Sequence, residues 1–148
     1  MKLILISENS FEKARKKIRE NKEKEIIFTS ENDELNRKIL EKESIKILLL
    51  NQKSRIDFAK QRNSGLNQVL AKIAKKRKAI IGINLDELIE AKGKQKSQII
   101  ARIKQNIQLC NKNKVNMKFI YFKFKKNNYD LKVLGSILGM PTWMTKNF

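Results

Sequence analysis

Carboxylates and lysines are the side chains of this sequence that could do catalytic chemistry, because its 148 residues include no histidine and a single cysteine, Cys110. The lack of histidine excludes an imidazole general base, the Ser-His-Asp and Cys-His nucleophile systems, and His-ligated zinc. A lone cysteine can form neither an intramolecular disulfide nor a cysteine-rich metal site. The composition therefore excludes much of hydrolytic enzymology.

Three carboxylates follow predicted strands: Glu8, Glu31 and Asp86. Active sites of parallel sheets lie at the carboxyl ends of the strands, so these side chains could converge on a magnesium ion, as in a metal-dependent nuclease or phosphoesterase. The alternative is that each carboxylate stabilises the first turn of the helix that follows it, which requires no special geometry. We favour the alternative and predict neither a catalytic residue nor a metal ligand in this chain.

The basic residues are numerous and unevenly distributed. The chain has 34 Lys and Arg against 15 Asp and Glu, a net charge of +19, and Asp130 is the sole acidic residue after Glu90. A folded surface this positive attracts polyanions, of which RNA and DNA are the commonest. A lysine-rich composition bias is the alternative, but such a bias would not remove acids from one segment. The distribution indicates a nucleic-acid-binding protein.

The densest basic cluster, residues 75–78, ends a predicted helix, where cations also stabilise the helix dipole. A second cluster follows the aromatic strand 118–124, whose rings either stack on RNA bases or, as we favour, fill the core. The predicted phosphate contacts are Arg62, Lys75, Lys76, Arg77, Lys78, Arg102, Lys123, Lys125 and Lys126.

Short strands and helices alternate along the chain. Apolar runs predict strands at 2–7, 25–30, 45–50, 79–83 and 115–124, and helical spacing predicts helices between them, with a short helix at 55–60. Asn84 is expected to cap one helix, and Cys110 to lie in the core face of another. Such alternation predicts a parallel sheet, and five or six strands are too few for a closed eight-stranded barrel. We predict a single α/β domain over residues 1–148, with an incomplete or compact TIM-barrel-like fold.

No apolar run has the length of a membrane span, and the N-terminal run ends at Ser7, which is too short for a secretory signal. We therefore expect a soluble, cytoplasmic protein without a membrane partner.

Two sequence blocks stand out. The first contains Arg62-Asn63-Ser64-Gly65-Leu66-Asn67 and opens a helix before a strand, and the second ends with Arg-Ile-Lys-Gln-Asn-Ile-Gln-Leu-Cys from Arg102 to Cys110. In order and spacing they resemble the archaeal and eukaryotic ribonuclease P protein component 3 family. A weaker third block covers residues 130–140. The resemblance implies a fold related to TIM-barrel-like metal-dependent phosphoesterases, whose histidine ligands cannot exist in this chain.

The resemblance also implies a function. It points to an RNA-binding subunit of the ribonucleoprotein endoribonuclease that removes the 5′ leader from precursor tRNA, with catalysis by the RNA and its magnesium and no cofactor on the protein. The implied partners are ribonuclease P RNA, protein component 2 and, indirectly, precursor tRNA. Two alternatives stay open: a metal-dependent nuclease or phosphoesterase, and a diverged protein that binds other structured RNA. The expected partner contacts are Asn63, Ser64, Gln105 and Asn106.

Overall fold

The computed structural model describes residues 2–148, in which five strands alternate with helices. The strands are β1 (Leu3–Ser7), β2 (Glu25–Thr29), β3 (Ile47–Leu50), β4 (Ile80–Asn84) and β5 (Met117–Ile120). The helices are α1 (Phe11–Glu20), α2 (Asp33–Lys42), α3 (Gln68–Arg77), α4 (Leu85–Glu90), α5 (Gly93–Asn113), α6 (Asn128–Leu138) and α7 (Thr142–Thr145). None of these helices combines the length and apolarity needed to cross a bilayer.

The strands form one parallel sheet in the order β1-β2-β3-β4-β5. Sequential order in an all-parallel sheet is the arrangement of a TIM barrel, in which each strand is followed by a helix that returns the chain to the next strand. Within residues 2–148, β1 and β5 are not paired with each other, so the barrel is open. The predicted α/β fold with an incomplete TIM-barrel-like sheet is confirmed.

The two faces of the sheet are packed differently. Alternate strand residues such as Phe28, Leu48 and Ile81 are fully buried in a large cluster shared with the helices. The opposite face holds a small cluster made of strand residues alone: Ile27, Ile47, Leu49 and Ile120. Because both faces are apolar, the strands read as continuous apolar runs rather than as alternating patterns.

Asparagine side chains begin four of the helices. The Oδ1 atoms of Asn32, Asn67, Asn84 and Asn127 accept hydrogen bonds from backbone N–H groups three residues further on, at 3.2, 2.8, 3.2 and 2.8 Å respectively. Each bond satisfies one of the N–H groups that a helix leaves without a partner at its first turn. The predicted cap by Asn84 is confirmed.

Two predicted elements are wrong. Residues 55–60 form turns instead of a helix, with a backbone bridge between Phe58 and Gln61. The fifth strand ends at Ile120 instead of residue 124, because a carboxylate from α4 binds the backbone of the residues that follow. The short helix α7 has no counterpart among the predictions.

Candidate nucleic-acid interface

The two predicted basic clusters lie at opposite ends of the sheet. Residues 75–78 end α3 and immediately precede β4, so they lie at the end where the strands begin, here called the amino edge. Lys123, Lys125 and Lys126 follow β5 and lie at the other end, the carboxyl edge. Strands of this length separate the two edges by roughly 15 Å. The predicted phosphate contacts therefore do not form one continuous patch.

The amino edge carries a basic cleft of about 410 Å³. It lies between the turns that precede β2, β3 and β4, which a parallel sheet brings side by side. Six of its lining side chains are basic and two, Glu25 and Glu43, are acidic. The basic ones are Arg19, Lys22, Lys24, Lys46, Arg77 and Lys78. The excess of basic side chains gives this cleft a positive potential.

Glu43 binds two of the basic side chains of this cleft, those of Arg19 and Arg77. Its side chain is 5% exposed, and the Nε atom of Arg19 donates to its Oε1 at 3.1 Å. The Nη2 atom of Arg77 donates to the backbone carbonyl of Glu43 at 3.1 Å. Within residues 2–148, Lys22 and Lys78 form no ion pair, and both are exposed. Their ammonium groups are available to neutralise phosphates.

Lys75, Lys76, Arg77 and Lys78 are all exposed. Lys75 also donates through Nζ to the carbonyl of Lys114 at 3.1 Å, and Lys78 ends α3 in the left-handed conformation, with a φ of 57°. The cluster therefore ends α3 and also presents an exposed cationic surface.

At the carboxyl edge, the chain between β3 and α3, residues 51–67 and here called the β3–α3 loop, is held by Arg102. This side chain is 2% exposed and donates from Nε to Asp57 Oδ1, from Nη1 to the Gln52 carbonyl and from Nη2 to the Arg55 carbonyl, each at 2.9 Å. The hydrogen bond from Arg102 is the main cause that lowers the pKa of the Asp57 carboxyl. The prediction that Arg102 contacts RNA is wrong, because its guanidinium is buried and already bonded within the protein.

Gly65 of the Asn-Ser-Gly motif makes room for a second arginine of the same loop. The guanidinium of Arg55 binds both carboxylate oxygens of Asp33, at 2.9 and 3.0 Å, and donates from Nε to the Asn51 carbonyl at 2.7 Å. A Cβ atom on Gly65 would collide with this guanidinium, and the Gly65 φ of +80° lies in the left-handed region. The motif thus shapes the loop.

The predicted partner contacts also support the loop from within. Ser64 and Asn106 are buried, and Asn106 donates through Nδ2 to the Ser64 carbonyl at 3.2 Å. Buried side chains cannot meet a partner, so the prediction is wrong for these two. Asn63 and Gln105 are half-buried, and Gln105 donates to Ser64 Oγ at 3.2 Å, whereas Arg62 is exposed.

A second loop of the carboxyl edge, residues 121–127 and here called the β5–α6 loop, is held by Asp86. The Asp86 carboxylate accepts hydrogen bonds from the backbone N–H groups of Phe122, Lys123 and Phe124 at 2.8, 3.1 and 3.1 Å. The side chain of Lys123 pairs with Glu90 at 3.1 Å, while Lys125 and Lys126 are exposed. The loop therefore presents its cations on a fixed backbone.

The three carboxylates considered as metal ligands do not come together. Asp86 is bound to the β5–α6 loop, Glu8 pairs with Lys17, and Glu31 is exposed. Residues 2–148 contain no group of three His, Cys, Asp or Glu side chains placed to hold a metal ion. The alternative, that each carboxylate stabilises the first turn of the next helix, holds for Asp86, which lies in the first turn of α4. It fails for Glu8 and Glu31, which precede the caps of α1 and α2.

Comparison with models of known protein families found none that matches the chain. Ribonuclease P protein component 3 of Methanococcus maripaludis is 25% identical over 145 residues, which is 98% of this chain and 59% of that protein. Component 3 of Methanosarcina acetivorans is 39% identical over 56 residues, 38% of this chain and 23% of that protein. The resemblance to ribonuclease P protein component 3 is confirmed.

The fold agrees with this relationship to component 3. A chain of the cryo-EM structure of archaeal ribonuclease P with mature tRNA superposes with a TM-score of 0.78 at 22% identity, over 97% of this chain and 62% of that one. The chain spans about 59% of the length of the component 3 relatives that it matches.

Sequence reasoning missed four of the six cations of the amino-edge cleft: Arg19, Lys22, Lys24 and Lys46. They come from the N-terminal part of the chain, where acids nearly balance bases and the charge distribution gives no signal. Their position just before predicted parallel strands is the signal that could have grouped them, because such turns meet at one edge.

Proposed function

We propose that this chain is an RNA-binding protein subunit of ribonuclease P that supports the RNA-catalysed removal of the 5′ leader from precursor tRNA. The observation that carries the proposal is the amino-edge cleft, where six basic side chains outnumber two acidic ones on a chain related to component 3.

The cleft suits a phosphate backbone better than a base. Its cations lie at the ends of α1 and α3 and on the turns before the strands, and long flexible lysines such as Lys22 and Lys78 neutralise charge without reading a base edge. Contacts of this kind release condensed counterions, so the affinity falls steeply with salt. The role of the cleft is to hold the folded RNA in position, and magnesium acts with the RNA.

The partners are ribonuclease P RNA, protein component 2 and, through the RNA, precursor tRNA. The proposal is supported by the name of the relatives and by the source of the similar fold, a ribonuclease P with mature tRNA. Because the chain spans about 59% of the relatives' length, each partner is proposed for this chain rather than carried over.

The contact with component 2 is proposed for the groove between α3 and α5. Of the four predicted partner contacts, Gln105 lines this groove, whose volume is about 420 Å³. Its lining is mostly uncharged and polar, with Gln61, Asn67 and Gln108 beside it. A surface with little net charge suits a protein better than a polyanion.

The test of the RNA-binding role replaces Lys22, Lys24, Arg77 and Lys78 together by Gln. Each phosphate contact that is lost lowers the magnitude of the salt slope of RNA binding by roughly 0.7–0.9, so four contacts lower it by about 3. The slope is measured by titrating ribonuclease P RNA at several salt concentrations.

The matched control replaces Lys13, Lys16, Lys94 and Lys104 by Gln, which removes the same charge from exposed positions on α1 and α5. Long-range attraction falls equally in both variants. An equal salt slope in the two would contradict a specific role of the amino-edge cleft.

A further inference from the structure

Two loops of the carboxyl edge expose large apolar side chains although their backbones are firmly held. In the β3–α3 loop, Ile56 is 81% and Phe58 66% exposed, and in the β5–α6 loop Phe122 is 56% exposed. The buried side chains of Arg102 and Asp86 hold the two loops through three hydrogen bonds each.

Folding alone does not account for this arrangement. Burial of a phenylalanine ring stabilises a protein by about 1.5–3 kcal/mol, and a ring left in water forgoes that gain. A loop that needed no fixed shape would also not require a buried arginine whose donors are bonded to Asp57, the Gln52 carbonyl and the Arg55 carbonyl. Rigid presentation of an exposed aromatic ring is typical of a binding surface.

The exposed charges on the two loops themselves are positive. Lys53, Lys60 and Arg62 stand on the first loop and Lys125 and Lys126 on the second, all exposed and, within residues 2–148, without an ion-pair partner. The acids that contact the two loops are already engaged, since Asp57 accepts from Arg102, and Asp86 on α4 accepts from backbone N–H groups of the β5–α6 loop.

A cleft of about 460 Å³ opens beside Phe58 and has the opposite character. Three carboxylates, of Glu31, Asp33 and Asp57, line it together with Arg55. Carboxylates repel phosphates but accept hydrogen bonds from the amino groups of bases. Arg55 binds both carboxylate oxygens of Asp33, and Arg102 binds Asp57 Oδ1, so Glu31 and Asp57 Oδ2 are the carboxylate oxygens of this cleft that can accept from a base.

We infer that the carboxyl edge binds unpaired nucleotides of an RNA single strand, whose bases stack on Phe58 and Phe122 while Lys60, Arg62, Lys125 and Lys126 neutralise the phosphates. The loops follow β3 and β5, which lie two strand spacings apart, roughly 10 Å, and both loops stand at the carboxyl edge of the sheet. The inference rests on the proposed RNA-binding function and adds a second, chemically different surface to it.

The test uses a fluorescent single-stranded oligoadenylate RNA as the probe and a blunt RNA duplex of the same length as the comparison. Phe58→Ala and Phe122→Ala are each expected to lower the affinity for the single strand about 5- to 100-fold, which is the range found when one stacking ring is removed. The salt slope stays unchanged because the rings are uncharged, and duplex affinity stays unchanged because paired bases cannot stack on them.

Phe58→Trp, which keeps a stacking surface, is expected to retain the affinity of the unaltered chain. Ile137→Ala is the matched control, since Ile137 is 72% exposed on α6 and apolar, like the rings but away from both loops. All these side chains are largely exposed, so thermal unfolding should not change.

Unchanged binding of the single strand by both alanine variants overturns the inference, and so does an equal loss of affinity for the duplex. In either case the proposed function survives if the chain still binds ribonuclease P RNA through the amino-edge cleft. If instead the amino-edge substitutions leave RNA binding unchanged, the proposed function is contradicted.

Discussion

At the scale of single residues, Arg102 shows how a basic side chain in a basic protein can be entirely structural. Its three bonds join α5 to a loop 45 to 50 residues earlier in the chain, so the residue closes the β3–α3 loop against the long helix. Glu87 holds the start of the same loop by accepting from the N–H groups of Gln52 and Lys53. Buried polar contacts thus hold most of the loop, and Leu66 anchors its end in the core.

Replacement of Arg102 by Gln is expected to lower the free energy of unfolding by about 3 kcal/mol, because it leaves buried acceptors without donors. Urea unfolding followed by circular dichroism measures the change. Arg62→Gln removes an exposed arginine of the same loop and should shift the free energy by no more than about 0.5 kcal/mol. Equal effects of the two substitutions would mean that the buried bonds contribute little.

The buried thiol of Cys110 is expected to make the stability of the chain depend on pH in the alkaline range. Burial raises the pKa of its thiol from 9.0 to about 12, so between these values the unfolded chain loses a proton that the folded chain keeps. The contribution of the protonated thiol to the free energy of unfolding is therefore fully present below about pH 9. Above that pH it decreases by about 1.4 kcal/mol per pH unit.

Denaturant unfolding of the unaltered chain and of Cys110→Ala between about pH 8 and pH 11 isolates this contribution, because the other alkaline groups titrate in both. The free energy of unfolding should fall more steeply in the chain that keeps the thiol. Parallel curves would contradict the raised pKa.

At the scale of elements, the sequence predicts what depends on short-range patterns. Apolar runs predict five strands, and helical spacing predicts α5, whose Ile99, Ile103, Ile107 and Cys110 are all buried. The predictions fail where distant residues decide the backbone. Asp86 lies 36 residues before Phe122 yet ends β5, and no local pattern in residues 115–124 carries that information.

In the candidate site, too, local sequence patterns predict some features, and contacts between distant residues decide the others. The exposure of Lys75 to Lys78 follows from their place at the end of an amphipathic helix, which is a local pattern. The amino-edge cleft could not be predicted as a unit, because Lys22, Lys46 and Lys78 become neighbours only when three parallel strands align. Burial of Ser64 and Asn106 likewise depends on α5 packing against the β3–α3 loop.

At the scale of the whole molecule, the net charge of +19 is divided between two edges with different chemistry. The amino edge gathers cations over a cleft and suits a continuous phosphate backbone. The carboxyl edge sets exposed rings and lysines around an acid-lined cleft and suits unpaired nucleotides. A protein that holds a folded RNA in position needs both kinds of contact, since such an RNA has helices and single-stranded joints.

The absence of histidine agrees with the proposed function, in which the chain binds RNA and the RNA carries out catalysis. The carboxyl edge, where parallel folds usually place catalytic groups, uses Asp86 to hold a loop and leaves Glu8 paired with Lys17. Under the proposed function these carboxylates position loops, and the chemistry of leader removal belongs to the RNA.

Identification of the RNA bound in the native cell distinguishes ribonuclease P RNA from every other RNA partner. A tagged chain is purified after crosslinking, the RNA that accompanies it is sequenced, and the proteins are identified by mass spectrometry. The proposed function predicts enrichment of ribonuclease P RNA, together with tRNA precursors and protein component 2, and loss of that enrichment in the amino-edge variant. Enrichment of ribosomal or other RNA without ribonuclease P RNA would contradict it.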